Sequence, residues 1–361
     1  MIDRRLLENF DFILFFTTVV LCLVGIIFIK SATSMLEIDY AKRQLLYFSI
    51  GLIGLIIAVT FNYSKIAKHT ILIYTLSVLL LIMVLLIGKG IGGAKRWLSL
   101  GIVGFQPSEL FKITSILMIA YYLDKASKRV SKFKILICVF LIVILPILLI
   151  IVQPDLGTAI SLIFVIFTVV FVSEGNIRNM LIITGMGLAS CPFLWKFLRT
   201  YQKKRLLVFI NPDVDPLGAG YAIIQSKIAV GAGGLFGYGW KRGYQTHLNF
   251  IPEHHTDFIF STVAEEWGFV GACVLLLLYA VLLWRMFSLA ILIRDRLGLL
   301  IIVGVISLFA VHIFINIGMA IGIMPITGLT LPFLSYGGSS LVVSMFLVGL
   351  VLNIGMRRFK I

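Results

Sequence analysis

Apolar runs of about 18 residues or more, nearly free of charge, recur from one end of this sequence to the other, and they limit the fold before any motif is read. A helix rising ~1.5 Å per residue crosses a ~30 Å hydrocarbon layer in such a run. In lipid the backbone must satisfy its own hydrogen bonds. That leaves helices, because a membrane β-barrel is written in short alternating segments instead. The sequence therefore predicts an all-α polytopic membrane protein with about ten transmembrane helices. They fall near 12–30, 45–62, 70–88, 107–123, 134–152, 156–173, 178–198, 257–287, 298–323 and 338–356. With 60% apolar and only 13% charged residues, neither a water-soluble enzyme nor a disordered chain fits.

Charge orients the bundle. With the N-terminus inside, 16 of the 31 Lys and Arg fall in inner segments and 6 in short outer loops, so both termini are expected in the cytoplasm. A 58-residue outer segment, 199–256, between the seventh and eighth helices breaks the trend, with seven Lys and Arg of its own. Loops of that length escape the positive-inside rule and are usually functional. Within it, residues 221–230 read as a short amphipathic helix on the outer interface. The first apolar run is read as a span rather than a cleaved signal. The isolated Cys22, Cys138, Cys191 and Cys273 are read as buried free thiols. Residues 1–361 are read as one transmembrane domain.

The 16 carboxylates divide clearly. Most sit in termini or loops beside cations, and Asp213 and Asp215 look like turn formers. Glu109, Asp155, Asp257, Glu265 and Glu266 lie in or against apolar runs, where ionisable groups are candidates for function. Asp257 stands in Phe250-Ile-Pro-Glu-His-His-Thr-Asp-Phe-Ile-Phe260, where the outer segment becomes the eighth helix. At ~100° per residue it shares a face with Ser261, Ala264 and Gly268, which leaves room beside its carboxylate. Partly desolvated there, it would serve as a base; alternatively, it and Thr256 cap the helix. Glu265 and Glu266 point away from it, and a salt bridge to another helix is expected for at least one of them. Glu109 and Lys112 are spaced i,i+3, either as a self-neutralising pair or facing a polar cavity. Asp155, in Gln153-Pro-Asp-Leu-Gly-Thr158, is placed to cap the sixth helix.

Glu253, His254 and His255 lack the spacing of a structural metal site, but a divalent cation such as Mg or Mn, shared between Asp257 and a substrate phosphate, stays open. The glycines of 231–239 are either a backbone nest for phosphate or a plain turn. They match no Walker or Rossmann context, and no nucleic-acid partner is expected. Gly337-Gly-Ser-Ser340 opens the tenth helix outward, either to an anion or as a simple cap. Lys95, Arg96, Asp155, Lys227, Asp257 and Ser339 all fall on the outer side, where cations outnumber carboxylates. Such a surface suits an anionic lipid headgroup or a lipid pyrophosphate.

Six segments together resemble the SEDS family (shape, elongation, division and sporulation) of peptidoglycan glycosyltransferases. They are Gly93-Ala-Lys-Arg-Trp-Leu98, Phe105-Gln-Pro-Ser-Glu-Leu-Phe-Lys112, Gln153-Pro-Asp-Leu-Gly-Thr158, Gly231-Ala-Gly-Gly-Leu-Phe-Gly237, the 250–260 run, and Pro332-Phe-Leu-Ser-Tyr-Gly-Gly-Ser-Ser340. The Pro-Glu-His-His-Thr-Asp run is more similar to the rod-shape (RodA) branch than to the division (FtsW) branch. The resemblance implies polymerisation of lipid II, an undecaprenyl-pyrophosphate-linked disaccharide pentapeptide, at the outer face of the bacterial cytoplasmic membrane during elongation. It implies Asp257 as the essential catalytic residue. Substrate placement is then expected of Arg96, Glu109, Lys112, Asp155, Lys227, Thr256 and Ser339. Tyr238 stands where the family often has Lys, which removes a cation from that spot. A class B penicillin-binding protein is the implied partner for crosslinking, beside other elongation-machinery membrane proteins. A precursor flippase or a non-catalytic scaffold are the alternatives, and a scaffold would not need Asp257.

Overall fold

Short polar side chains open the helices of the computed structural model. Asp11 caps the first helix, α1 (Phe12–Ala32), by accepting from Leu14 N at 2.9 Å. Asp39 opens α2 (Tyr40–Thr60) and Asn62 opens α3 (Tyr63–Lys68) in the same way. The structure describes residues 8–91, 94–100, 103–126, 132–174 and 200–358, with scattered positions between 181 and 198.

After α4 (Thr70–Ile87) the chain forms three short strands, β1 (Lys89–Ile91), β2 (Ala94–Leu100) and β3 (Val103–Phe105). They pair antiparallel in sequence order, with Lys89 opposite Trp97 and Leu98 opposite Phe105. This small sheet is absent from the all-helical expectation; strands of three residues carry too little pattern to read. The helices α5 (Pro107–Ala126), α6 (Lys132–Val152) and α7 (Leu156–Glu174) follow. The span expected near 178–198 falls mostly outside the described residues. The segment from 200 is largely structured: α8 (Thr200–Ile210), a 3-10 turn at Pro212–Val214, α9 (Ala219–Ala232) and α10 (Tyr244–His247). Asp213 lies in that turn, and Asp215 accepts from Ala219 N at 3.0 Å, so both act as the turn formers expected. Three long helices complete the bundle: α11 (Ile259–Leu292), α12 (Arg296–Ala320) and α13 (Gly338–Met356). Nine of the ten expected spans thus coincide with helices, and seven are long and apolar enough to cross a membrane.

Burial runs as a bilayer demands. Phe16, Leu72, Leu141 and Phe269 are exposed, while α13 is buried almost along its whole length. Two glycines let backbones touch. A side-chain carbon at Gly25 would lie 2.6 Å from the Phe333 carbonyl, and one at Gly349 would lie 2.6 Å from the Leu55 carbonyl. The first of these contacts seats the segment before α13 against α1. Cys22 is buried as expected, but Cys273 is exposed, because its place on α11 faces outward from the bundle; Cys191 lies outside the described residues.

Thirty-four helical residues would span about 50 Å, well beyond the hydrocarbon thickness. The helix α11 is broken instead at Gly268, whose φ is +66°. The glycine run after α9 fills the break. Tyr238 N and Gly239 N donate to the carbonyls of Glu265 and Glu266, at 3.1 and 2.9 Å. Phe269 N and Val270 N donate to Gly234 O and Leu235 O, at 2.8 and 3.0 Å. These glycines therefore restore a missing turn of helix rather than cradling phosphate.

Candidate active site

Asp257 does not lie in a helix. It sits in a turn built on the carbonyl of Glu253, which accepts from Thr256 N at 3.1 Å and from Asp257 N at 3.0 Å. The helix α11 begins after Phe258, with no side-chain cap. Both expectations about this residue's helix are corrected: Asp257 neither caps α11 nor shares a helical face with Ser261. Ser261 pairs with Ser226 of α9 at 2.6 Å, and Gly268 is the break. The Thr256 hydroxyl turns back to Glu253, donating to its carbonyl and its carboxylate at 3.2 Å each.

The segment leading into α13 clamps this turn. Ser335 Oγ donates to Thr256 O at 2.7 Å and Tyr336 N to His255 O at 2.9 Å. On the other side, His254 bridges the carbonyls of Ile251 and Ala32, at 2.9 Å each, tying the turn to the end of α1. His255 packs against Tyr40 and Tyr336, and burial pushes its imidazole down to about 4, with His254 adding to the effect. It is neutral at neutral pH.

The Asp257 carboxylate faces Gly328, whose φ is +76°. A side-chain carbon there would stand 3.6 Å from Asp257 Oδ2 and 3.6 Å from Arg205 Nη1, so the glycine keeps the space between the two groups open. Burial raises the Asp257 carboxyl to about 6. Arg205 is the strongest opposing influence, Glu253 raises it further, and Arg96 and Asp155 act weakly in opposite directions.

Thr256 adjoins Asp257 in the turn, Arg96 and Asp155 influence its carboxylate electrostatically, and Ser339 is linked to Asp155 through Gln106. Arg96, on β2, donates to the carbonyls of Gln153 and Pro154, which pins the sheet to the turn before α7. The hydroxyl of Tyr201 donates to the same Pro154 carbonyl at 2.8 Å, and the Arg205 guanidinium lies over its ring. Asp155 caps α7 as expected, accepting from Thr158 N, and also accepts from Ser108 and Gln106. Ser339, at the start of α13, accepts from Gln106 N at 3.3 Å and donates to Gly104 O at 3.2 Å. Gln106 thus bridges Ser339 and Asp155.

The remaining expected residues lie apart. Lys227 is exposed on α9, its stem packed over Gly322. The expected helix is present and turns Ala222, Ile223, Ser226 and Ala229 inward, but Ile224 and Ile228 are exposed beside Lys227, so apolar residues lie on both faces and the expected amphipathic division is not seen. Glu109 and Lys112 form the expected pair at 2.7 Å, both buried in α5. Lys112 Nζ also reaches His312 Nε2 at 3.4 Å, and the three line a cavity of ≈ 10 Å³, room for about one water. Because the ammonium can only donate, His312 must accept at Nε2 and donate from Nδ1 to Thr330 O, at 3.1 Å.

Of the other two carboxylates, Glu265 accepts from Gln245 N, Thr246 N and Thr246 Oγ1, tying α11 to α10 by hydrogen bonds rather than by a salt bridge. Glu266 accepts from Ser31 Oγ and lies 3.5 Å from His247 Nε2, the one of the pair that approaches a salt bridge. Arg205, Asn316 and Gln106 are the site residues the sequence did not single out. Arg205 carried a signal, as the last cation of Lys203-Lys204-Arg205 before an apolar stretch. So did Asn316, a lone amide one turn from His312 in an otherwise apolar helix.

Among the described residues no three or more His, Cys, Asp or Glu side chains are arranged to hold a metal ion. A resident divalent cation is therefore not matched by a built ligand set around Asp257.

The family described as FTSW_RODA_SPOVE, Cell cycle protein, matches residues 11–360. The chain is 36% identical to a protein of Trichlorobacter lovleyi named probable peptidoglycan glycosyltransferase FtsW, covering 96% of this chain and 93% of that one. It is 40% identical to the peptidoglycan glycosyltransferase MrdB of Escherichia coli K12, over 89% of this chain and 87% of that one. A solved chain from work on the structural coordination of polymerization and crosslinking by a peptidoglycan synthase complex superposes with a TM-score of 0.83. The two are 33% identical, with 98% of this chain and 99% of that one covered. These identities are close to one another and settle the family rather than a branch within it. Matched over nearly its whole length in sequence and in fold, the chain belongs to the SEDS family of FtsW, RodA and SpoVE cell cycle proteins.

Proposed function

We propose that this chain is a peptidoglycan glycosyltransferase that polymerises lipid II, with Asp257 as general base. The observation that carries the reading is a single carboxylate, raised to about 6, in an open space shared with Arg205. A base poised about one unit below neutral is ionised in the resting enzyme yet basic enough to accept a proton. In the reaction, a sugar hydroxyl of one substrate attacks the anomeric carbon of another. The hydroxyl proton passes to Asp257, the new glycosidic bond forms, and the bond to the pyrophosphate oxygen breaks. Arg205 and Arg96 offset the negative charge that builds on the leaving pyrophosphate. Thr256 adjoins Asp257 in the turn, Asp155 and Ser339 brace the neighbouring segments through Gln106, and Lys227, Glu109 and Lys112 are kept as candidates for substrate placement farther from the carboxylate.

Residues 1–361 act in this reading as one transmembrane domain, with both termini in the cytoplasm and Asp257 opening to the outer face of the bacterial cytoplasmic membrane. The charge asymmetry of the sequence supports that orientation. The similarity to a chain of a peptidoglycan synthase complex supports a class B penicillin-binding protein as partner, alongside other elongation-machinery membrane proteins. The Pro-Glu-His-His-Thr-Asp run favours the rod-shape branch and cell elongation.

The test is polymerisation of lipid II by the purified protein with its partner. Asp257→Asn is expected to reduce the rate of polymerisation by about 10²–10⁴-fold while the protein remains folded and partner-bound. Full polymerisation by that variant overturns the base assignment. Lipid movement across vesicles without polymer would replace the reading with a flippase.

A further inference from the structure

We infer that Asn316 is a positioning residue for Asp257, a role that rests on the reading of Asp257 as the base. Asn316 is fully buried in α12, and its single amide nitrogen donates twice. One bond goes to the main-chain carbonyl of Asp257 at 2.9 Å, the other to the carbonyl of Leu329 at 2.7 Å. Leu329 directly follows Gly328, the residue the Asp257 carboxylate faces. One planar group therefore fixes both the backbone that carries the carboxylate and the wall of the space it opens into. An NH₂ group has two hydrogens in one plane, which sets the two carbonyls at a fixed separation and angle.

The rest of the amide is unusual. Among the described residues, Asn316 Oδ1 is buried with no hydrogen-bond partner. A buried amide acceptor left unpaired is unfavourable, so an apolar side chain of the same shape would suit that half of the group better. The two donor bonds are what an asparagine supplies here and a leucine cannot. They are spent on the turn that presents the carboxylate, where a displacement of about 1 Å lowers a rate by up to ~10²-fold.

Steady-state polymerisation kinetics with lipid II, on the full chain with its partner, test the role. Asn316→Leu keeps the shape and removes both donors, and Asn316→Ser keeps one. A positioning role gives a kcat loss of about 10–100-fold for Asn316→Leu and a smaller loss for Asn316→Ser, with KM within about threefold of the parent. In the Asp257→Asn background neither change lowers the residual rate further, because the group being positioned is gone. Ser307→Ala, on the same helix as Asn316, removes a bond to Thr168 of α7; it is the comparison and leaves kcat unchanged. If Asn316→Leu does not fold, Asn316→Ser decides alone. Parent-like kcat per folded molecule in the Asn316 variants, with Asp257→Asn inactive, overturns the positioning role only. Full activity of Asp257→Asn overturns the base reading and this one with it.

Discussion

Glu266 and Gly239 meet across a broken helix: the Glu266 carbonyl, which in a continuous helix would accept from Val270 N, accepts instead from Gly239 N at 2.9 Å. The same exchange occurs one residue earlier, between Glu265 O and Tyr238 N, and Phe269 N and Val270 N turn to Gly234 and Leu235. All four polar groups freed by the left-handed backbone of Gly268 are thus satisfied by one loop. Irregular backbone at this depth is tolerated only under that condition.

That fit fixes an expectation for Gly237. Its φ is +74°, and a side-chain carbon would stand 2.2 Å from the Glu266 carbonyl oxygen. Both strain and collision oppose Gly237→Ala, which should lose more than ~2 kcal/mol of stability. Gly239→Ala, at φ +95° with Arg242 Cδ as its nearest neighbour at 3.6 Å, meets strain alone and should lose about 1–2 kcal/mol. Thermal unfolding in detergent ranks the two, and equal stability of Gly237→Ala and the parent would show that the loop does not complete the helix.

Activity should fall on acidification as Asp257 takes up a proton. With the carboxyl raised to about 6, the base form is half-populated near pH 6 and falls to roughly a tenth at pH 5. Arg205 is the cation that most opposes that rise. Arg205→Gln should therefore move the acid limb of the rate profile to higher pH. A limb that stays in place in Arg205→Gln would detach the guanidinium from the carboxylate.

The same raised proton affinity makes Asp257 a liability to the fold. Its carboxyl, raised by burial to about 6, binds its proton more tightly than an exposed aspartate does, so the folded state binds more protons than the unfolded state between about pH 4 and 6. Stability is lost as pH rises through that window, and above it the deficit approaches ~3 kcal/mol at ~1.4 kcal/mol per unit. Asp257→Asn should then melt higher than the parent at pH 7.5, with the difference closing below pH 4. A lower melting temperature for Asp257→Asn at pH 7.5 would mean that the native carboxylate is held by a favourable partner.

Much of this was legible in the sequence, and the omissions have physical reasons. Apolar runs gave nine helices close to their true limits because hydrophobic thickness is a long-range, redundant signal. Asp257 stood out because a carboxylate at the start of a span is costly and scarce. Its setting did not, because the turn 253–258 is held by the Ala32 carbonyl of α1 and by the segment before α13, far away in sequence. Helical periodicity carried straight through Gly268, since nothing local distinguishes a glycine that breaks a helix from one that packs within it. The sheet holding Arg96 and the double bond of Asn316 likewise depend on partners that only the fold brings near.

Glu109 and Lys112 offer a test that separates structural from chemical charge. They pair at 2.7 Å, both almost wholly buried, and the third member of the cluster, His312, accepts from the ammonium. Removing one partner strands a charge in a low-dielectric interior, which is destabilising by about 3–5 kcal/mol. Removing both strands none, and an apolar pair of similar volume is often neutral or better. Glu109→Gln and Lys112→Met should each lower the melting temperature sharply, and the double variant should recover most of the loss. Polymerisation by the double variant then decides the remaining question. Retained activity in the recovered protein assigns the pair to the helix packing behind the site. Lost activity in a protein that melts like the parent assigns it to substrate placement, because the fold no longer needs the charges and the reaction does.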